Sequence, residues 1–191
     1  YERGVGVPRD YEEMFSWLYL AARSDDVEAQ AKLGLCFLRG QGTVRDTATA
    51  FKWFMRSAEA GHAPGQTSVG NCYLMGAGVP QDTAQAAAWY RRAAEQGHME
   101  GEFSLGVAYD LGRGVEPDPK EAFRLYQRAA DKGFGPAQFN LGVLYAEGRG
   151  TAPDGAKAVE CYQAAARQGS AEAKAALARL HLKGQWVPQD R

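Results

Sequence analysis

The amino-acid sequence predicts an all-α fold, an α/α right-handed superhelix (solenoid) of 36-residue helix-turn-helix repeats with about ten helices. Three periodicities predict it. Gly4, Gly40, Gly76, Gly112, Gly148 and Gly184 recur at an unbroken spacing of 36. Gly6, Gly42, Gly78, Gly114 and Gly150 follow two residues later, and Trp186 ends that series. Asp10, Asp46, Asp82, Asp118, Asp154 and Asp190 keep the same step. Self-similarity at one period of this length marks a repeat array, in which each unit buries its apolar face against the next.

Each unit carries two apolar stripes at helical spacing. One reads Leu33, Gly34, Phe37, then Val69, Gly70, Tyr73, then Leu105, Gly106, Tyr109, then Leu141, Gly142, Tyr145. It places the first helices of the repeats (A) near 26–39, 63–75, 99–111, 135–147 and 171–183. The other reads Ala50, Trp53, Phe54, Ala58, with copies through Ala158, Cys161, Tyr162, Ala166. It places the second helices (B) near 10–24, 46–60, 82–96, 118–132 and 154–168. An Asp precedes every B helix as an N-cap, and Asp118-Pro119-Lys120-Glu121 adds proline at the first helical position and an acid at the third. Gly61, Gly97, Gly133 and Gly169 close the B helices in the left-handed position, and the Gly-x-Gly turn reverses the chain. Small residues at Ala29, Gly65, Gly101, Ala137 and Ala173, with Gly34, Gly70, Gly106 and Gly142, let A and B approach closely. The reading is one domain over 1–191, with repeat boundaries near 26–61, 62–97, 98–133 and 134–169 and partial repeats at 1–25 and 170–191. The chain opens partway through a repeat at Tyr1 and stops at Gln189-Asp190-Arg191, as a segment of a longer array would.

Composition narrows the function classes. Lys and Arg number 22 against 23 Asp and Glu, a formal net charge of -1. The absence of a basic excess or basic clusters argues against nucleic acid or an anionic membrane as partner. No apolar run approaches the roughly 18 residues of a spanning helix, so direct membrane insertion is not expected. Cys36, Cys72 and Cys161 make no obvious disulfide framework. Cys36 and Cys72 share a register on adjacent A helices about 8–10 Å apart, beyond the roughly 7 Å reach of a disulfide, and read as buried thiols.

Other chemistry-bearing residues read as structural. Trp17, Trp53 and Trp89 fill one B-helix column, and Tyr1, Phe37, Tyr73, Tyr109 and Tyr145 one A-helix column, which is what stacked interfaces require. His62 and His98 share a turn register and His181 an aromatic column, without the spacings that hold a metal, so no metal and no cofactor are expected. Gly4-Val5-Gly6 and its copies lack the third glycine and preceding strand of a nucleotide loop. Arg91, Arg92, Glu95, Lys120, Glu121, Arg124 and Arg128 read as the solvated face of the B helices, and no pair of acids is singled out for acid/base work.

The unit Ala/Gly-Gln/Glu-x-x-Leu/Val-Gly-x-x-Tyr/Phe-x-x-Gly-x-Gly-Val-x-x-Asp, followed by Ala-x-x-Trp-Tyr-x-x-Ala-Ala-x-x-Gly, resembles the Sel-one-like repeat, a relative of the tetratricopeptide repeat. Ala137-Gln138-Phe139-Asn140-Leu141-Gly142 through Asp154 is a clear copy, and the resemblance covers essentially the whole chain. Departures are Trp186 in the last turn, Ala178 for Gly, His181 for Tyr, and Leu125 and Cys161 in the Trp column. The resemblance implies a non-enzymatic scaffold or adaptor engaging a protein or peptide, with bacterial members often exported or envelope-associated. A cysteine-rich bacterial branch is linked to β-lactam binding or hydrolysis, but the paired cysteines of that branch are missing here. A cell-wall or β-lactam hydrolase and a purely structural spacer stand as the alternatives.

By the same resemblance the A helices line the concave groove, suited to an extended peptide or a partner helix. The non-core A positions are then the candidate contact set: Lys32, Leu35 and Arg39; Ser68, Asn71 and Met75; Ser104, Val107, Asp110 and Leu111; Asn140, Val143 and Glu147; Arg179 and Lys183. Asn71 and Asn140 offer side-chain amides to a peptide main chain. Leu35, Val107 and Val143 supply an apolar floor, and Arg39, Arg179 and Lys183 are candidate carboxylate contacts.

Overall fold

The computed structural model describes residues 10–183. The expectations at Tyr1, Gly4, Gly6, Gly184, Trp186 and Asp190 lie outside the described residues, as does the side chain of Lys183. Among the described residues there are ten helices of thirteen residues each and no strand. The chain divides into two compact units, residues 1–96 and 97–191.

The first unit holds α1 (Tyr11–Arg23), α2 (Val27–Arg39), α3 (Thr47–Glu59), α4 (Ala63–Met75) and α5 (Thr83–Glu95). The second holds α6 (Met99–Leu111), α7 (Pro119–Asp131), α8 (Gly135–Glu147), α9 (Gly155–Arg167) and α10 (Ala171–Lys183). Even-numbered helices are the A helices and odd-numbered ones the B helices of the sequence reading, with ends within about one residue of those expected.

The aspartates start the B helices as expected. Asp46 Oδ1 accepts from the Thr49 amide at 3.0 Å, Asp82 from Gln85 at 3.0 Å, Asp118 from Lys120 and Glu121 at 3.0 and 3.1 Å, and Asp154 from Lys157 at 3.0 Å. Each satisfies a first-turn N–H that would otherwise be orphaned. His62, His98 and Phe134 stand at the N-caps of α4, α6 and α8 without a side-chain capping bond. The turn after each A helix needs glycine on two counts at Gly78, where φ is +76° and an added Cβ would strike the carbonyl of Thr47.

The A–B contact is built through the mid-helix glycines. A Cβ at Gly70 would lie 2.5 Å from the Tyr90 ring, and one at Gly142 2.8 Å from the Tyr162 ring. The missing side chain is the slot through which a B-helix ring enters the A helix. In the first unit Phe54 packs with Ala50, Ala58, Val69, Cys72 and Trp89. In the second, Tyr126 and Tyr162 pack with Leu141, Leu144, Tyr145 and a row of alanines. Each fully buried ring contributes roughly 1.5–3 kcal/mol from desolvation. Edge-on pairs join the A-helix aromatic column to the preceding B helix: Phe37 with Phe15 at 5.3 Å, Tyr73 with Phe51 at 5.5 Å, Tyr145 with Phe123 at 5.2 Å.

Two positions depart from the sequence reading. Trp89 is buried and Trp53 packs on the Ala22, Ala29 and Leu33 cluster, but Trp17 is 59% exposed. These tryptophans rest on the helix pair before their own, and no described helix precedes α1. Arg128 belongs less to a solvated face than its neighbours do: its guanidinium lies 2.6 Å from the fully buried carboxylate of Glu102.

Candidate functional site

The tyrosine rings that pass the glycine slots deliver their hydroxyls to the A-helix row. In the first unit the Tyr90 hydroxyl donates to Oδ1 of Asn71 at 2.7 Å. In the second, the Tyr126 hydroxyl makes a long 3.5 Å contact with Asp110, and the Asn140 amide lies beside it. Burial pushes both phenols above their ordinary range, so each stays a neutral donor. Polar residues on the A row are thus held from beneath by buried groups.

The first unit gathers three of the expected contact residues. Lys32, Leu35 and Arg39 surround a small cleft of about 120 Å³ with Met14, Leu18 and Gln41. Lys32 pairs with Glu28 at 2.8 Å, and that ammonium holds the Glu28 carboxyl below its ordinary range. On α4, Ser68 returns its hydroxyl to the Pro64 carbonyl at 2.9 Å, which removes it as a donor to a ligand. Asn71 keeps its Nδ2 donor while Tyr90 occupies its oxygen. Met75 stands out at 65% exposure.

In the second unit Asp110 on α6 and Glu147 on α8 are drawn together by a residue the sequence reading passed over. Arg149, in the turn after α8, donates to Asp110 and, at 2.7 Å, to Glu147. Val107 and Val143 are half-buried against the core, while Leu111 is exposed. Arg179 is exposed on α10, and Ser104 is half-buried on α6.

A larger cleft of about 430 Å³ opens beside this row, with Phe103, Phe139 and Asn140 on its walls and Gln168, Ser170 and Glu172 at its edge. Of these only Asn140 was expected. The signal was available, because the column Ala31, Thr67, Phe103, Phe139, Ala175 turns aromatic at its third and fourth members. Arg149 likewise occupies the middle of Gly148-Arg149-Gly150, where Gln41, Ala77 and Arg113 stand in other copies.

Burial pushes the Cys72 and Cys161 thiols up to about 11, so both are protonated at neutral pH. Half-buried His62, the N-cap of α4, has its Nδ1 2.8 Å from the hydroxyl of buried Ser57, and desolvation lowers the pKa of that imidazole.

No protein of curated function matches this chain. Among solved structures it is similar to a Sel1 repeat protein from Oxalobacter formigenes, at 37% identity and a TM-score of 0.90, over 97% of this chain and 76% of that one. It is also similar to c5321, described as a protective antigen of uropathogenic Escherichia coli with an SLR fold, at 36% identity and a TM-score of 0.86 over 92% of this chain. The chain spans only 38% of the length of that protein. Cysteine rich protein B of Helicobacter pylori shares the fold at 23% identity and a TM-score of 0.54, over 69% of this chain and 94% of that one. The Sel1 repeat model matches residues 1–26, 27–62, 63–98, 100–134, 135–170 and 171–191. With six consecutive matches from end to end, the chain belongs to the Sel1 repeat family.

Proposed function

We propose that this chain is a non-enzymatic interaction scaffold that holds a peptide or partner segment against the A-helix row. Sel1 repeat proteins are commonly protein-interaction scaffolds. The observation that carries the reading is the support beneath the row: Tyr90 fixes the Asn71 amide, and Arg149 holds Asp110. Polar groups held before a ligand arrives lose less entropy on binding than mobile surface side chains, and preorganisation of this kind raises affinity without added area. In the second unit half-buried Val107 and Val143 and exposed Leu111 supply apolar contact, as exposed Met75 does in the first.

The test is selection from a displayed random-peptide library, followed by affinity measurement against variants. Alanine at Asn71, Asn140 or Val107 should weaken a selected peptide's binding several-fold while circular dichroism stays unchanged. Selected peptides indifferent to all three substitutions, or a library that yields no binder, would overturn the reading.

A further inference from the structure

Positions 103 and 139 are equivalent members of successive repeats, and so are 134 and 170. At the first pair Phe134 lays its ring edge-on against Phe103, with centroids 5.3 Å apart and planes at 64°. At the second pair the A-helix aromatic remains as Phe139, but Ser170 stands where its companion ring would be. The roughly 430 Å³ cleft opens at that place, lined by Phe139 and Ser170 together with Phe103, Asn140, Ala165 and Gln168. Its size falls in the range of about 300–1,000 Å³ typical of ligand pockets.

We propose that this cleft seats one aromatic side chain of a bound peptide, packed edge-on against Phe139 as Phe134 packs against Phe103. The proposal rests on the scaffold reading and gives it an anchor. The chain itself shows which chemistry covers a phenylalanine at this register, because one copy carries its own ring and the next does not. Edge-to-face aromatic pairs gain more than their buried area alone provides, so an aromatic is favoured over an aliphatic of similar size. At the rim stands the exposed carboxylate of Glu172, accepting from Ser170 Oγ at 3.0 Å. Its charge favours a basic residue beside the peptide aromatic and disfavours an acidic one.

Ser170 also caps α10 through the Ala173 amide at 3.1 Å, so its replacement must be separated from loss of the cap. Phe134 begins α8 with no side-chain cap, which shows that phenylalanine is tolerated at this position. Two variants therefore make the test: Ser170→Phe fills the cleft from within, and Ser170→Ala removes the cap while leaving the cleft open. The probes are N-acetyl-phenylalaninamide, N-acetyl-leucinamide and N-acetyl-alaninamide, titrated into the nitrogen-15-labelled chain and followed by amide chemical shifts.

The phenylalanine probe should shift amides near Phe139, Asn140, Gln168 and Glu172 and saturate at about three- to tenfold lower concentration than the leucine probe. Ser170→Phe should abolish these shifts, Ser170→Ala should keep them, and Phe139→Leu should erase the preference for the aromatic probe. Equal binding of leucine, shifts scattered over the chain, no shift at all, or unaltered binding in Ser170→Phe would each overturn the assignment. Library peptides that bind the wild-type chain and Ser170→Phe equally would remove the aromatic seat while leaving the scaffold reading intact.

Discussion

Lys132 Nζ lies 2.7 Å from both carboxylate oxygens of Glu102, a side chain with no exposed surface, and donates also to the Gly97 carbonyl at 2.7 Å. The equivalent pairs in other repeats are neutral: Gln96 donates to Gln66 at 2.8 Å and Gln168 to Gln138 at 2.9 Å. One joint, from the residue just past a B helix back to the preceding A helix, is thus made with amides in two copies and with an ion pair in a third. Lys132→Ala leaves a buried carboxylate with Arg128 as its remaining cation, and should lower stability by about 2–3 kcal/mol, less than the roughly 3–5 kcal/mol of breaking a buried pair outright. Glu102→Gln with Lys132→Gln rebuilds the neighbouring amide joint and should recover most of that loss. Urea denaturation of the three proteins checks it; a double variant as unstable as Lys132→Ala would show that the amide joint cannot substitute here.

Gly70→Ala sets two effects against each other. Alanine is the better helix former by about 1 kcal/mol. The new methyl would sit 2.5 Å from the Tyr90 ring, which is itself buried and tied to Asn71, so it cannot swing aside. Overpacking of this kind costs about 1–3 kcal/mol, so the net effect should be destabilising by up to about 2 kcal/mol. In a Tyr90→Leu background the clash is relieved and the same substitution should become neutral or stabilising. A double-mutant cycle by thermal denaturation decides it, and a penalty that survives Tyr90→Leu would remove the ring as the cause.

The helices were readable from the sequence because their punctuation is local. A glycine that must take positive φ, an Asp that must accept a first-turn amide and a stripe at helical spacing all act within a few residues. The glycine slots were readable as close approach, though not as the path by which Tyr90 and Tyr126 reach the A row. What escaped depends on partners about 30 residues away. Glu102 breaks the column Gln30, Gln66, Glu102, Gln138, but its meaning appears only when Lys132 is seen to break its own column in the same copy. Trp17 matches its repeat column and yet is exposed among the described residues, since register fixes which way a side chain faces and not what covers it. The aromatic cleft was hidden for a related reason: it arises from a ring that Ser170 lacks, and an absence is visible only beside the copy that has the ring.

Arg149 should matter for recognition as well as for stability. It is 39% exposed and Glu147 55%, but Asp110 only 10%, so Arg149→Gln should lower stability by about 1–2 kcal/mol, between the effect of an exposed pair and that of a buried one. The substitution leaves Asp110 and Glu147 without their shared cation, and the A row of the second unit becomes more acidic. Selected basic peptides should then bind tighter and acidic ones weaker, with the difference shrinking as salt is raised from about 0.05 to 0.5 M. Affinities that do not respond to salt would separate this carboxylate pair from the binding surface.

Cys72 and Cys161 give a pH dependence with a definite sign. Burial disfavours their thiolates, pushing both up to about 11 in the folded chain against 9.0 for an unburied thiol. Below about pH 8 both thiols are protonated whether the chain is folded or not, and they contribute no pH dependence. Between about 9 and 11 the unfolded chain gives up protons that the folded chain retains, so stability falls as pH rises through that window. Cys72→Ala with Cys161→Ala should flatten the decline, although each substitution also removes packing and lowers the plateau. Because the thiolate is the nucleophile, alkylation of Cys72 and Cys161 by iodoacetamide at pH 8 should be at least about a hundredfold slower in the native protein than in urea. Peptide mass analysis of timed samples reads each cysteine separately, and rapid native labelling at Cys72 would show that its position between α3, α4 and α5 opens far more often than its packing requires.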